Sequence, residues 1–316
     1  MTTFTNDLDI RPLRTGEEDL FLDFPHPPTP GVGLESRRSW ADTLADGYYR
    51  PEWSWVARRG GRTVARCAFW GMPDEDHPFS LDWFELGKEP DRLAVGAALL
   101  TAALRELRTA EGARPEYHIF LPPGWRELDG VREATEDRLA AAAAAGYQPF
   151  IERFNYTWTT ADGVPERSTR LMFREVDDAE ATAICRAAAQ GSLDGYTGRD
   201  VARHGLDEAA RIMVEDLTDM PSPREWWRAA YTPDGAQVGL IVPARNPARA
   251  VVGYIAVVPA QRGRGYVDDL LAETTAMLVA EGAEEIGADT DLGNRPMAAA
   301  FARAGYRNTA IRMVLQ

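Results

Sequence analysis

The sequence predicts an α/β (α+β) chain built as two tandem copies of one fold, on three observations. The first is a change of period at residues 253–278. Gly253-Tyr254-Ile255-Ala256-Val257-Val258 is an apolar, β-branched run that reads as a buried strand, and Pro259 stops it. Arg262-Gly263-Arg264-Gly265 turns the chain, after which Val267, Leu270, Leu271, Thr274, Met277 and Leu278 share one helical face. The second is an internal echo: Ala145-Gly146-Tyr147 and Ala304-Gly305-Tyr306 stand 159 residues apart, each after a helical pattern and before a strand. The third is size: 316 residues, 45% hydrophobic and 27% charged, are comfortable for two globular domains. The turn-rich stretch Thr160-Ala161-Asp162-Gly163-Val164-Pro165 separates a domain over 1–162 from one over 163–316.

In chain order, residues 8–13 read as a strand and a helix follows from Gly16. Pro25, Pro27, Pro28 and Pro30 with Gly31 and Gly33 make 25–33 a loop. A helix over 38–49 carries Trp40 and Leu44 inward, and strands at 52–59 and 63–70 flank a hairpin turn at Gly60-Gly61. A strand at 79–86, an alanine- and leucine-rich helix at 92–109 and a strand at 117–121 come next, the last stopped by Pro122-Pro123. A helix at 131–145 ends at Gly146, and 150–159 is a strand. The second copy repeats the order: a strand at 168–176, helices at 179–189 and 207–217, and a hairpin of 226–232 with 237–243 about Asp234-Gly235. The motif strand and helix, a strand at 285–291, a helix through Arg303 and a strand ending at Leu315 complete it. Residues 192–200 and 243–250 carry the least pattern and are where acceptor loops are expected.

Composition narrows the function. A net charge of −14 argues against nucleic acid or an anionic membrane as partner and is compatible with a cationic substrate. Cys67 and Cys185 are too few for a disulfide framework, and four scattered histidines give no metal-ligand spacing. Residues 1–7 hold no basic-then-apolar leader, so a cytoplasmic, metal-free protein is expected.

A strand, a glycine turn and a helix N-terminus form a seat for a phosphorylated ligand, because glycines let the backbone approach an anion and first-turn N–H groups point at it. Arg262, Gly265 and, imperfectly, Val267 fit the pattern Arg/Gln-x-x-Gly-x-Gly/Ala; Asn294 stands eleven residues before Gly305-Tyr306. In these two blocks residues 168–316 resemble the GNAT acetyltransferase superfamily. The resemblance implies two GNAT-like folds, each a mixed, mostly antiparallel sheet flanked by helices, in a tandem layout with an active C-terminal half. It also implies acetyl-CoA as co-substrate, with its pyrophosphate on the N–H groups of Arg262, Gly263, Arg264, Gly265, Tyr266 and Val267. The pantetheine arm is expected along Ala256, Val257 and Val258, and Asn294 is expected to hydrogen-bond it or to cap the following helix. The activity implied is direct attack of a small-molecule amine on the thioester; the alternative is a catalytically silent acyl-CoA-binding or sensing module.

Three departures from the family pattern bear on mechanism. Val267 replaces a small residue. Asp268 and Asp269 put negative charge beside the phosphate seat, so one of them is expected to face solvent or to pair with Arg262 or Arg264. The family's usual proton donor, a tyrosine seven residues after the asparagine, is Phe301 here. Asp289 and Asp291 alternate to one face of their strand and are the candidate bases, with a solvated strand end or a turn cap before Gly293 as their other reading. Tyr254 and Tyr266 are candidate acids or packing aromatics. In the first copy, aligning Leu99-Leu100 with Leu270-Leu271 puts Arg92 and Ala94 where Gly263 and Gly265 stand, and counting back from Gly146 puts Thr135 at the place of Asn294. That copy therefore reads as degenerate.

Overall fold

The computed structural model describes residues 7–25, 29–33, 40–109 and 112–316. The expected absence of a leader rests on residues 1–6, which lie outside it, as do residues 26–28 of the expected loop and 38–39 of the expected helix. Among the described residues no helix is long and apolar enough to cross a membrane.

The chain divides into two compact units. The first takes the described residues up to Glu152 together with Ile311–Gln316; the second is Arg153–Ala310. The linear boundary expected at 162/163 falls at Gly163, just past a short 3-10 turn, whereas the units divide at 152/153 and again at 310/311.

In chain order the first elements are β1 (Leu8–Pro12), α1 (Asp19–Leu22), α2 (Trp40–Ala45), β2 (Ser54–Arg59), β3 (Arg62–Trp70) and β4 (Ser80–Leu86). They are followed by α3 (Arg92–Glu106), β5 (Glu116–Leu121), α4 (Asp129–Ala144) and β6 (Pro149–Thr159). The strands of the first unit run in the order β1-β2-β3-β4-β5. All these pairs are antiparallel except β4 with β5, which meet in parallel only at Ser80↔Glu116 and Leu81↔Tyr117.

The second stretch holds β7 (Met172–Glu175), α5 (Asp178–Ala189), α6 (Gly195–His204), α7 (Leu206–Thr218), β8 (Arg228–Tyr231) and β9 (Gln237–Arg245). Then come β10 (Ala250–Val257), α8 (Tyr266–Ala280), β11 (Glu285–Asp291), α9 (Arg295–Arg303) and β12 (Arg307–Leu315). The order in the second unit is β7-β8-β9-β10-β11, with residues 153–159 of β6 antiparallel on β11. Residues 311–315 of β12 lie antiparallel on β5 in the first unit. Each unit is thus a mixed, mostly antiparallel sheet flanked by helices, as the sequence predicts.

Among the described residues three apolar clusters hold the second unit, the smallest made of Leu171, Ala230, Val238, Ile241 and Leu270. Ile184, Cys185, Val214 and Leu217 of α5 and α7 pack on Trp227, Leu240 and Val242. Leu271, Leu278, Ala300 and Phe301 of α8 and α9 pack with Tyr156, Trp158, Ile286 and Tyr306. Asp177 caps α5 by accepting the Glu180 N–H at 2.8 Å, which satisfies one of the donors that open a helix.

A fragment that begins at residue 164 lacks the strand whose residues 153–159 pair with the whole of β11. It also loses Tyr156 and Trp158, both buried in the cluster around Phe301. Large buried side chains contribute about 1.5–3 kcal/mol each, and whole domains are stable by about 5–15 kcal/mol. The 164–316 fragment is therefore expected to be insoluble or to lack a cooperative thermal transition by circular dichroism. A soluble fragment with a sharp transition would refute the dependence on β6.

Candidate active site

The site begins where β10 parts from β11. Only Ala250↔Ile286 and Val251↔Gly287 pair; beyond Val251 the two strands diverge. Arg249 fastens the closed end, donating to Glu285 Oε1 at 2.6 Å and to Thr157 Oγ1 at 3.0 Å. On the other edge of β10 the register to β9 slips between Val252 and Tyr254, a bulge at Gly253 that adds twist and turns the strand away from its parallel neighbour. Glycine is required there, since a Cβ would lie 2.8 Å from Ala244 Cβ and 2.9 Å from the Val242 carbonyl oxygen. Val258 N donates to Val238 O at 2.9 Å, so by strand alternation Ala256 and Val258 address β9. The main-chain groups of Ile255 and Val257 therefore face the open edge, a narrower set than the expected Ala256 to Val258. The Val257 carbonyl already accepts from Arg262 Nε at 3.1 Å, which leaves its N–H for the cleft.

After β10, one 3-10 turn at Pro259–Gln261 takes up the N–H of Gln261 and that of Arg262. Gly263 and Gly265 both sit at φ 77°, a left-handed conformation that costs other residues about 1–2 kcal/mol. Among the described residues the N–H groups of Gly263, Arg264 and Gly265 have no protein acceptor. Those of Tyr266 and Val267 open α8, where no intrahelical acceptor exists.

Of the two acidic residues Asp268 is the one open to solvent, as expected, but neither pairs with Arg262 or Arg264. Arg262 lays its guanidinium on the carboxyl end of α5, donating to Ala188 O at 2.6 Å, Gln190 O at 2.7 Å and Gly191 O at 3.3 Å. These contacts join the loop to the helix and keep the guanidinium from Asp268 and Asp269, while the Arg262 N–H, donated to Pro259 O, drops out of the expected set of phosphate-facing N–H groups. Arg264 is exposed. Asp269 is buried and takes a two-pronged ion pair from Arg170, whose guanidinium also lies 5.0 Å from the Tyr266 ring centre. Asp268 pairs with Arg303 at 2.7 Å. Both acidic charges beside the helix N-terminus are thereby matched by arginines from outside the motif.

The opposite wall comes from residues 191–197, where the sequence expected a loop and the structure has the start of α6. Asp194 caps this helix, accepting from Thr197 N at 2.8 Å and Thr197 Oγ1 at 3.0 Å. Asp291, 7% exposed, accepts from Gly195 N at 2.6 Å, and Arg153 bridges Asp291 (3.0 Å) to Asp194 (3.3 Å). Asp291 thus anchors the helix and is not among the residues lining the cleft. Asp289 lines it and accepts from Asn155 Nδ2 at 3.0 Å. The other segment expected as an acceptor loop, 243–250, is largely a tight turn in which Asn246 Oδ1 accepts from Ala248 N and Arg249 N, away from the cleft.

Loop, open edge and wall enclose a cleft of about 420 Å³, within the range of small-molecule sites. Tyr254 lines it with its ring against α5; burial and its contact with Cys185 push its phenol well above the ordinary value. Burial likewise raises the Cys185 thiol to about 12. Asn294 lines the cleft and caps α9, accepting from Met297 N at 3.4 Å, which is the second of its two expected roles. Phe301 is buried between Tyr156 and Tyr306, ring centres 4.8 and 5.2 Å away. Gln261, Met297 and Ile255 also line the cleft and were not anticipated. Gln261 Oε1 is buried there with no hydrogen-bond partner among the described residues.

The first unit has the same parting of β4 from β5, filled differently. Arg138 of α4, itself buried, donates to Phe84 O at 2.8 Å, and Gly33 N donates to Phe120 O at 2.8 Å. The place of Gly265 at the helix N-cap is taken by Asp91, not Ala94, because α3 starts at Arg92. The alignment on leucines is therefore shifted by about one helical turn. Asp91 pairs with Arg59 at 2.8 Å.

Residues 195–306 match the model of the Acetyltransferase (GNAT) family. Among solved structures, a GCN5-related N-acetyltransferase from Sphaerobacter thermophilus is similar over 99% of this chain and 96% of its own, with TM-score 0.56 and 15% identity. A tandem GNAT protein from the clavulanic acid biosynthesis pathway is similar over 98% of each chain, with TM-score 0.51 and 16% identity. No curated protein matches the sequence. At these identities the structures establish the fold alone, and the family model matches within the second unit, over residues 195–306. The loop N–H groups, the buried Gln261 Oε1 and the open edge of β10 meet in this one cleft.

Asp291→Ala removes one of the two carboxylates that the half-buried Arg153 bridges and leaves the Gly195 N–H without its acceptor, a change that costs about 1–3 kcal/mol. The variant is expected to show that loss in denaturant titration, with hydrogen exchange at 192–197 speeded most. Unaltered stability would mean that Asp291 does not hold α6.

Proposed function

We propose that this GNAT-family acyltransferase moves an acetyl group from acetyl-CoA to a primary amine of a small molecule, with the chemistry in the cleft of the second unit. What supports this reading best is one cleft that joins an anion-ready loop, an open strand edge and the carboxylate of Asp289. The N–H groups of Gly263 to Val267, at the positive end of the α8 dipole, hold the pyrophosphate. The edge at Ile255 and Val257 pairs with the pantetheine arm, and the Val257 N–H polarises the acetyl carbonyl. Asn294 hydrogen-bonds the arm. The first unit, with Asp91 at the helix cap and Arg138 on its open strand, binds no second donor molecule.

Acetyl-CoA supplies an activated acetyl thioester. The amine nitrogen forms the new N–C bond as the C–S bond breaks, its proton passing to Asp289 directly or through water and the thiolate taking a proton from solvent. An alkylammonium of pKa about 10.4 is only about one part in 10³ neutral at pH 7, so removing its proton is the larger demand. The thiol, of pKa about 8.5, is already a fair leaving group. Loss of an acid at Phe301 is tolerable on that scale, since general acid catalysis gives about 10²–10⁴-fold. Asp291 is assigned no proton transfer. The second reading, a silent acyl-CoA sensor, draws its support from Phe301, and the same assays separate the two.

Gly265→Val is expected to abolish acetyl-CoA binding in calorimetry, and wild type is expected to bind one molecule per chain. Two molecules per chain, or a mutant of unchanged affinity, would overturn the site. The pH profile of kcat is expected to rise to a plateau with no fall up to pH 10. Because burial raises the Tyr254 phenol, it keeps its proton throughout that range and gives no basic limb. Asp289→Asn is expected to lower kcat by about 10²-fold and Phe301→Tyr to change it by less than about tenfold. A wild-type basic limb near pH 9–10 would reveal a different, more exposed acid.

A further inference from the structure

The acceptor wall shows what kind of amine it can take. Most of its polar groups are engaged with one another. Ser192 Oγ accepts from Asp194 N at 3.2 Å, and the Asp194 carboxylate takes both donors of Thr197 and Nη2 of Arg153. Arg153 turns its Nε to Asp291, and the Tyr254 hydroxyl meets the Cys185 thiol. What this wall offers outward is Leu193, 55% exposed. Among the exposed large apolar side chains of the described residues, it alone lines this cleft.

Charge points the same way. Of the charged side chains that line this side of the cleft, Arg153 is held by Asp194 and by Asp291 behind it, and Asp289 accepts from the amide of Asn155. Arg262 faces the α5 carbonyls. A carboxylate on the acceptor would be desolvated next to like charge, and the hydroxyls of a sugar-like amine would lose water without gaining partners.

Resting on the amine reading above, we infer that the acceptor is a monoamine with an apolar body and no carboxylate, and that Leu193 selects for that body. The ammonium approaches Asp289 and the apolar body lies on Leu193. A methylene in an apolar site is worth at best about 10–200-fold in kcat/KM, and a half-open wall stands at the low end of that range.

The test is free-thiol release from acetyl-CoA with n-hexylamine, ethanolamine and β-alanine as acceptors, for wild type, Leu193→Ser and Leu193→Met. Wild-type kcat/KM is expected to be at least about tenfold higher for n-hexylamine than for ethanolamine, with β-alanine lower still. Leu193→Ser is expected to raise KM for n-hexylamine by about tenfold with little change in kcat, and Leu193→Met to restore it. Acetyl-CoA affinity, measured separately by calorimetry, is expected to be the same in all three proteins. Ethanolamine or β-alanine matching n-hexylamine would overturn this inference and leave the amine reading standing, as would an unchanged KM in Leu193→Ser. Tight acetyl-CoA binding with no thiol release from any amine would overturn both.

Discussion

The rest of the site depends on β10 leaving β11 after two paired residues. A strand in a sheet interior has its N–H and C=O groups met on both sides, and a buried polar group left unmet costs free energy comparable to a lost hydrogen bond. Parting the strands leaves Ile255 and Val257 with polar groups to satisfy on one side. The Gly253 bulge bends β10 away, and Arg249 keeps the other end closed across β10, β11 and β6. The first unit meets the same constraint with its own residues, Arg138 on β4 and Gly33 on β5. One backbone geometry is thus completed by Arg138 and Gly33 in one unit and borders the cleft in the other.

The loop beyond β10 has a second constraint, set by charge. An acidic pair in the first turn of a helix suits the helix dipole but opposes an anion at the same place. Arg170 and Arg303, from segments well outside the motif, resolve this by pairing with Asp269 and Asp268. In the proposed complex the dipole and the loop N–H groups then act on the pyrophosphate with both neighbouring carboxylates paired. Arg262 adds rigidity by tying the loop to the end of α5, which also fixes where the acceptor wall begins.

What the sequence made legible was local. The change from strand to helical period around Gly265, the Gly60-Gly61 and Asp234-Gly235 hairpins and the Gly146 and Gly305 helix ends all appear close to where they were read. Less visible was anything set by distant partners. Residues 153–159 join β11 and residues 311–315 join β5 through backbone bonds across more than a hundred positions, and no local pattern announces them. Helix α6 buries only Thr197, so it has no apolar stripe; its one signal was Asp194, an N-cap residue three before Thr197. The shift of α3 against α8 escaped because two leucine-rich faces match almost as well one turn apart.

Asp289 and Asp291 show how a cross-strand neighbour decides a role that spacing cannot. Both project from the same face of β11, and their register partners on β6 are Asn155 and Arg153. An asparagine donates a hydrogen bond but leaves the carboxylate its charge. An arginine cancels that charge and, with Gly195 N on the other oxygen, makes Asp291 a fixed part of the wall. A base must keep both its charge and its access to substrate. In the proposed reaction Asp289, which lines the cleft, takes the proton, and Asp291 serves it by holding α6, and with it the acceptor wall, in register with the strand end.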